Sequence, residues 1–135
     1  MKKLVVLFFA VLSLAACKKS SSDTPENPYS NKLTLGTGIS ATNAFDLTGV
    51  GTTFSASNSI YFRLECADDM GSSSVTITID KADGTPYQTF SYESLQSYGH
   101  IYVSAFNVKD PGSYKATGTL VTGNKTIASQ SFTVN

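Results

Sequence analysis

The sequence predicts an all-β protein, an antiparallel β-sandwich of about seven strands in a single domain. Three observations predict it. Apolar and polar residues alternate along most of the chain beyond Lys32, turn-forming residues recur at intervals of roughly 8 to 12 positions, and helical spacing of apolar residues is nowhere sustained.

The strands follow in order. Lys32 to Leu35 and Ala44 to Leu47 are short candidates, separated by Gly36 and Gly38. Ser59 to Cys66 puts Ile60, Phe62, Leu64 and Cys66 on one face and Tyr61, Arg63 and Glu65 on the other, the alternation of a half-buried strand. Ala67 to Ser73 turns the chain into Ser74 to Asp80, where Val75, Ile77 and Ile79 oppose Thr76, Thr78 and Asp80. Asp83-Gly84 is a hairpin signal, and Pro86 stands at the entrance to Tyr87 to Tyr92. His100 to Val108 alternates again, Asp110-Pro111-Gly112 turns it into Ser113 to Val121, and Thr122 to Lys125 closes a last hairpin with Thr126 to Val134.

Aromatic residues gather between positions 87 and 102: Tyr87, Phe90, Tyr92, Tyr98 and Tyr102, with Gln88, Gln96 and His100 among them. Alternation assigns Phe90 and Tyr92 inward with Ile101 and Val103, which turns Tyr102 outward with Ser104. Tyr98 and His100 are expected near one end of the sandwich, where loops cluster. Exposed tyrosines present an apolar body and a polar tip, suited to stacking on sugar rings or anchoring a protein interface. Tyr98, His100 and Tyr102 are therefore the candidate ligand-binding residues, although strands are rich in tyrosine for packing reasons alone.

The stretch Asp110-Pro111-Gly112-Ser113-Tyr114-Lys115-Ala116 resembles the Asp-x-Gly-x-Tyr-x-Cys segment of immunoglobulin domains, in which the tyrosine hydroxyl bonds back to the backbone at a sheet corner. The resemblance implies an Ig-like sandwich with Asp110, Gly112 and Tyr114 as its structural corner. It departs from that family at Ala116, which stands in place of the second cysteine, and in having no tryptophan. Cys66 is expected where the first cysteine would be, so the usual inter-sheet disulfide is missing. Bacterial domains of this form commonly serve as accessory or adhesive modules, which is what the resemblance implies here; another small β-sandwich is the alternative.

Upstream of this domain, Lys2 and Lys3 precede an apolar run from Leu4 to Leu12 and small residues before Cys17, the layout of an export signal. The run is too short to span a bilayer, which takes roughly 20 apolar residues. Leu14-Ala15-Ala16-Cys17 resembles the bacterial lipobox. The resemblance implies cleavage before Cys17 and lipid attachment at Cys17, hence a membrane anchor in the cell envelope. Lys18, where an Asp would mark inner-membrane retention, implies the outer membrane, with its periplasmic face and the cell surface both open. The alternative is an ordinary secretory signal that precedes a cysteine. Residues 1–16 are thus read as signal and 17–32 as a disordered tether of Ser, Lys, Asp, Pro and Asn, too polar to bury itself. Residues 33–135 are read as the sandwich. At about 3.3 Å per residue its stretch from Lys18 to Asn31 spans up to roughly 45 Å.

Without Lys2 and Lys3 the chain carries eight basic against ten acidic side chains. The basic residues beyond Leu33 are scattered singly, which argues against a nucleic-acid partner. With Cys17 lipidated, Cys66 is left without a partner and is expected to be a small core hydrophobe of low reactivity. His100 has no nucleophile motif beside it and no histidine partner at ligand spacing, and Asp68, Asp69, Asp80 and Asp83 lack the spacing of a calcium loop. No catalytic residue, metal or cofactor is expected. The reading is a lipid-anchored, non-enzymatic envelope protein acting as a protein-interaction or accessory module. The alternative is a glycan-binding surface lipoprotein that uses its exposed tyrosines.

Overall fold

The structure, a computed structural model, describes residues 26–93 and 99–135. The elements in order are β1 (Lys32–Gly36), β2 (Gly38–Ile39), β3 (Leu47–Thr48), β4 (Thr53–Phe54), β5 (Ser59–Glu65), β6 (Val75–Lys81), β7 (Pro86–Tyr92), β8 (Ile101–Asn107), β9 (Gly112–Leu120), a 3-10 turn (Thr122–Asn124) and β10 (Lys125–Val134). They form a sandwich. One sheet has the order β1-β5-β8, the other β4-β10-β9-β6-β7, and β2 with β3 makes a small separate ribbon. Every pairing is antiparallel except that of β4 with β10, which is parallel.

Period-two patterning decides which faces meet. Ile60, Phe62 and Leu64 of β5 and Val75, Ile77 and Ile79 of β6 are at most 1 % exposed and pack between the sheets with Leu33, Leu35, Tyr114, Ala116, Phe132 and Val134. The outer face of the five-stranded sheet is paved with hydroxyls instead. Thr89, Thr78, Thr117 and Ser129 lie in register across four strands, and the Thr117 and Ser129 hydroxyls are 2.9 Å apart.

Turn chemistry sets the ends of the strands. Between β6 and β7, Gly84 takes φ 87° and the Thr85 N–H donates to Asp83 Oδ1 at 2.9 Å, the Asp-Gly arrangement a tight hairpin requires. Between β8 and β9 the chain crosses from one sheet to the other, and the Tyr114 hydroxyl donates to the Asp110 carbonyl at 2.9 Å across that corner. Gly112 opens β9 two residues before this tyrosine.

Packing also explains Gly118. A Cβ there would lie 2.6 Å from Leu64 Cδ1, so β9 approaches β5 closely only because that position is bare. β5 and β9 run in the same direction, which puts Ala116 at the level of Phe62 and Cys66 at the level of Leu120. Cys66 is therefore displaced from the place expected for it opposite Ala116. Rings do the bridging between the sheets. Phe62 lies 5.1 Å from Tyr92, 6.1 Å from Tyr102 and 6.2 Å from Phe106, and Phe106 continues through Phe132 to Tyr114 and Tyr87. These separations fall in the range where aromatic pairs attract.

Two expectations need correction here. Ala44 to Leu47 is not a strand: Asn43 to Asp46 form a turn in which the Phe45 N–H donates to Asn43 Oδ1, and only Leu47 enters β3. The segment 17–32, expected as a disordered tether, is ordered in its last part. Its residues 17–25 lie outside the described residues, but Asn27 to Asn31 form a strap on the sandwich and Lys32 begins β1. The side chains of the strap explain this, because amides and hydroxyls that cannot make a core can still bond to exposed backbone.

Candidate functional site

The three residues expected to bind ligand do not form one surface. Tyr98 lies outside the described residues. Tyr102 is buried, 6 % exposed, with its ring stacked on Phe62, which corrects its expected outward placement. The parity of β8 is the reverse of the one expected: Tyr102, Phe106 and Val108 face the core, while Ile101, Val103 and Ala105 face out and are half-buried. Both sets are apolar. The aromatic set prevails because each ring buries about 150–250 Å². Ser104, sharing the inward parity, conceals this in the sequence.

His100 is half-buried under the strap. Its ring lies 4.2 Å from the Tyr29 ring and within 6° of parallel, and its Nδ1 donates to the Cys66 carbonyl at 3.0 Å. Around it, the Ala67 N–H donates to Asn31 Oδ1 at 2.9 Å, Asn27 Nδ2 donates to the Ala67 carbonyl, and the Ser30 N–H donates to Glu65 Oε1 at 2.8 Å. The other oxygen of Glu65 is paired with Arg63 Nη1. The Ser30 N–H, opposed by burial and aided by the bond and charge of Arg63, holds the Glu65 carboxyl below its ordinary value of 4.5. Arg63 Nε is the one buried side-chain nitrogen or oxygen among the described residues that has no partner. Sequence reasoning missed this constellation because the strap residues have no periodicity to reveal them.

Cys66 is 1 % exposed, and burial raises its thiol from 9.0 to about 11. Nothing around it favours a thiolate strongly enough to offset that burial. Cys17, the expected lipid attachment, lies outside the described residues. Among the described residues no group of three or more His, Cys, Asp or Glu side chains is placed to hold a metal ion.

Two other surfaces remain. β8 is an edge strand: its even-numbered residues bond to β5, as the Cys66 N–H to His100 carbonyl bond shows, so the backbone groups of Ile101, Val103 and Ala105 point away from the sheet. The Ala105 carbonyl accepts from the Tyr92 hydroxyl at 2.8 Å, and burial pushes that phenol up to about 12. At the opposite end from the strap, a concavity of about 580 Å³ lies where the end of β6 meets β9 and β10. Asp80, Lys81, Ser113, Lys115, Ser131 and Thr133 line it. They come in pairs from β6, β9 and β10, so only the strand order brings the three pairs together.

No family model and no curated protein matches this chain.

Proposed function

We propose that the chain is a lipid-anchored, non-enzymatic protein of the cell envelope, acting as an interaction or accessory module on an immunoglobulin-like sandwich. The strand order supports the fold reading: β1, β5 and β8 take the places of strands A, B and E, while β6, β7, β9 and β10 take those of C, C′, F and G. The bond from Tyr114 to Asp110 supports it too, because a tyrosine hydroxyl bonded back to the backbone at a sheet corner accompanies that topology in immunoglobulin domains. Lipid on Cys17 rests on the Leu14-to-Cys17 motif, and the outer membrane on Lys18.

The observation that carries the interaction reading is the edge of β8. Here a half-apolar strand, Ile101 to Asn107, offers outward backbone donors and acceptors on a sheet of only three strands. Such an edge is a template for adding an extended segment of a partner. The glycan reading that relied on Tyr98, His100 and Tyr102 loses support, since Tyr102 is in the core and His100 lies beneath Tyr29.

The test is a photo-crosslinking residue at position 103 in intact cells, with another at position 109 as control. A single recurrent adduct at 103, lost when Ala105→Pro removes an outward N–H without touching the ladder to β5, is the expected result. No adduct, or the same adduct from both positions and from the Ala105→Pro variant, would overturn the reading.

A further inference from the structure

The side chains that line the far concavity combine three properties. First, they are not engaged with one another. Asp80 and Lys115 stand directly opposite across the β6–β9 ladder, where opposite charges ordinarily meet, yet neither is in an ion pair among the described residues. Among the described residues the hydroxyls of Ser113, Ser131 and Thr133 make no hydrogen bond either. Second, the nearby carboxylates are already engaged: Asp83 accepts from the Thr85 N–H, and Asp110 accepts from the Tyr87 hydroxyl at 2.8 Å. Third, the lining has no exposed apolar anchor. Tyr114 and Phe132, which also border it, turn their rings into the core at 3 % exposure each, and the large exposed apolar residues, Ile39, Phe45, Val50 and Val121, lie elsewhere.

A protein hot spot is built on aromatic or aliphatic anchors, which this surface lacks. What it offers is an acceptor, Asp80, beside a donor, Lys115, in a bowl rimmed with hydroxyls and of ordinary ligand-cleft size, about 300–1,000 Å³. The complement of that arrangement is a vicinal diol, in which one hydroxyl donates to a carboxylate and its neighbour accepts from an ammonium. We propose that this concavity binds a sugar unit of a polysaccharide. Asp80 and Lys115 grip adjacent ring hydroxyls, and Ser113, Ser131 and Thr133 meet the remaining ones. The hydroxyl-paved outer face of the five-stranded sheet continues from the Asp80–Lys115–Ser131 row, so a longer glycan has a polar surface to run along.

The test is a titration of the full chain with maltohexaose, cellohexaose and mannohexaose, followed by amide chemical shifts. Shifts at Asp80, Lys81, Ser113, Lys115 and Ser131 with at least one of the three sugars, at up to about 10 mM, are expected. Asp80→Asn and Lys115→Met should each weaken binding by about tenfold or more, while Lys109→Ala leaves it unchanged. Thermal melting of each variant separates lost binding from lost folding, since Lys115 is exposed, Asp80 is half-buried, and neither is in an ion pair among the described residues. The proposal is overturned by an absence of shifts with all three sugars, by shifts confined to residues around His100, or by full binding in the Asp80 and Lys115 variants. None of these outcomes bears on the β8 edge, which the crosslinks at position 103 test separately.

Discussion

At residue scale, the buried ionisable groups define how stability responds to pH. Cys66 is protonated in the fold up to about pH 11, whereas the unfolded thiol ionises from its ordinary value of 9.0, so stability falls as pH rises through that window. Tyr92 adds the same sign between 10.0 and about 12. Denaturant midpoints measured across pH 9 to 11 should decline, and Cys66→Ala should flatten the decline; an equal slope in the variant would remove Cys66 as its source. A thiol reagent should label Cys66 only after denaturation, and rapid labelling of the folded protein would contradict its burial. Glu65 has the opposite sign. Its carboxyl is lowered in the fold, so its contribution is complete above 4.5 and is lost as pH falls through the folded value. Glu65→Gln should cost about 2–3 kcal/mol at neutral pH by leaving Arg63 without its charge partner, and the difference from the parent should close in acid.

At element scale, the long strands were legible in the sequence because alternation over seven or more residues admits few assignments. β5, β6, β7, β9 and β10 fall within a residue or two of where the pattern puts them. β8 was placed correctly but turned over, since Ile101 and Val103 on one parity compete with Tyr102 and Phe106 on the other. Two-residue pairings such as β2–β3 and β4–β10 have no periodicity, so only the fold reveals them. The candidate site was less legible still, as Asp80 and Lys115 become neighbours through strand order alone. Two substitutions test the packing of these elements. Tyr114→Phe should cost about 1–2 kcal/mol in chemical denaturation by leaving the Asp110 carbonyl without its donor. Gly118→Val should cost more than Gly118→Ala, because the added methyls press further into Leu64; overpacking of this kind costs about 1–3 kcal/mol.

At the scale of the whole molecule, the sandwich has no disulfide among the described residues, and its two sheets are joined by rings. Reducing agents should therefore leave its melting temperature unchanged, in contrast to small exported domains stapled by cystine. Cys17→Ala should move the protein from the membrane to the soluble fraction and abolish fatty-acid labelling; a variant that stays membrane-bound would point to another anchor. The strap also limits the reach available to an anchor at Cys17. Counted from Cys17 to Asn27, the chain reaches at most about 35 Å when fully extended.

The strap further gives the molecule a polarity. It is fastened at Ala67, Glu65 and His100, the pole where β5 ends and β8 begins. Asn135 lies at the other pole, where its N–H donates to the Phe54 carbonyl at 2.9 Å. A protein held by lipid at Cys17 would thus present the pole with Asp80, Lys115 and Asn135 outward, like the head of a pin. A fluorescent protein fused after Asn135 would ride farthest from the bilayer, and its distance from a lipid dye would report whether the strap is fastened.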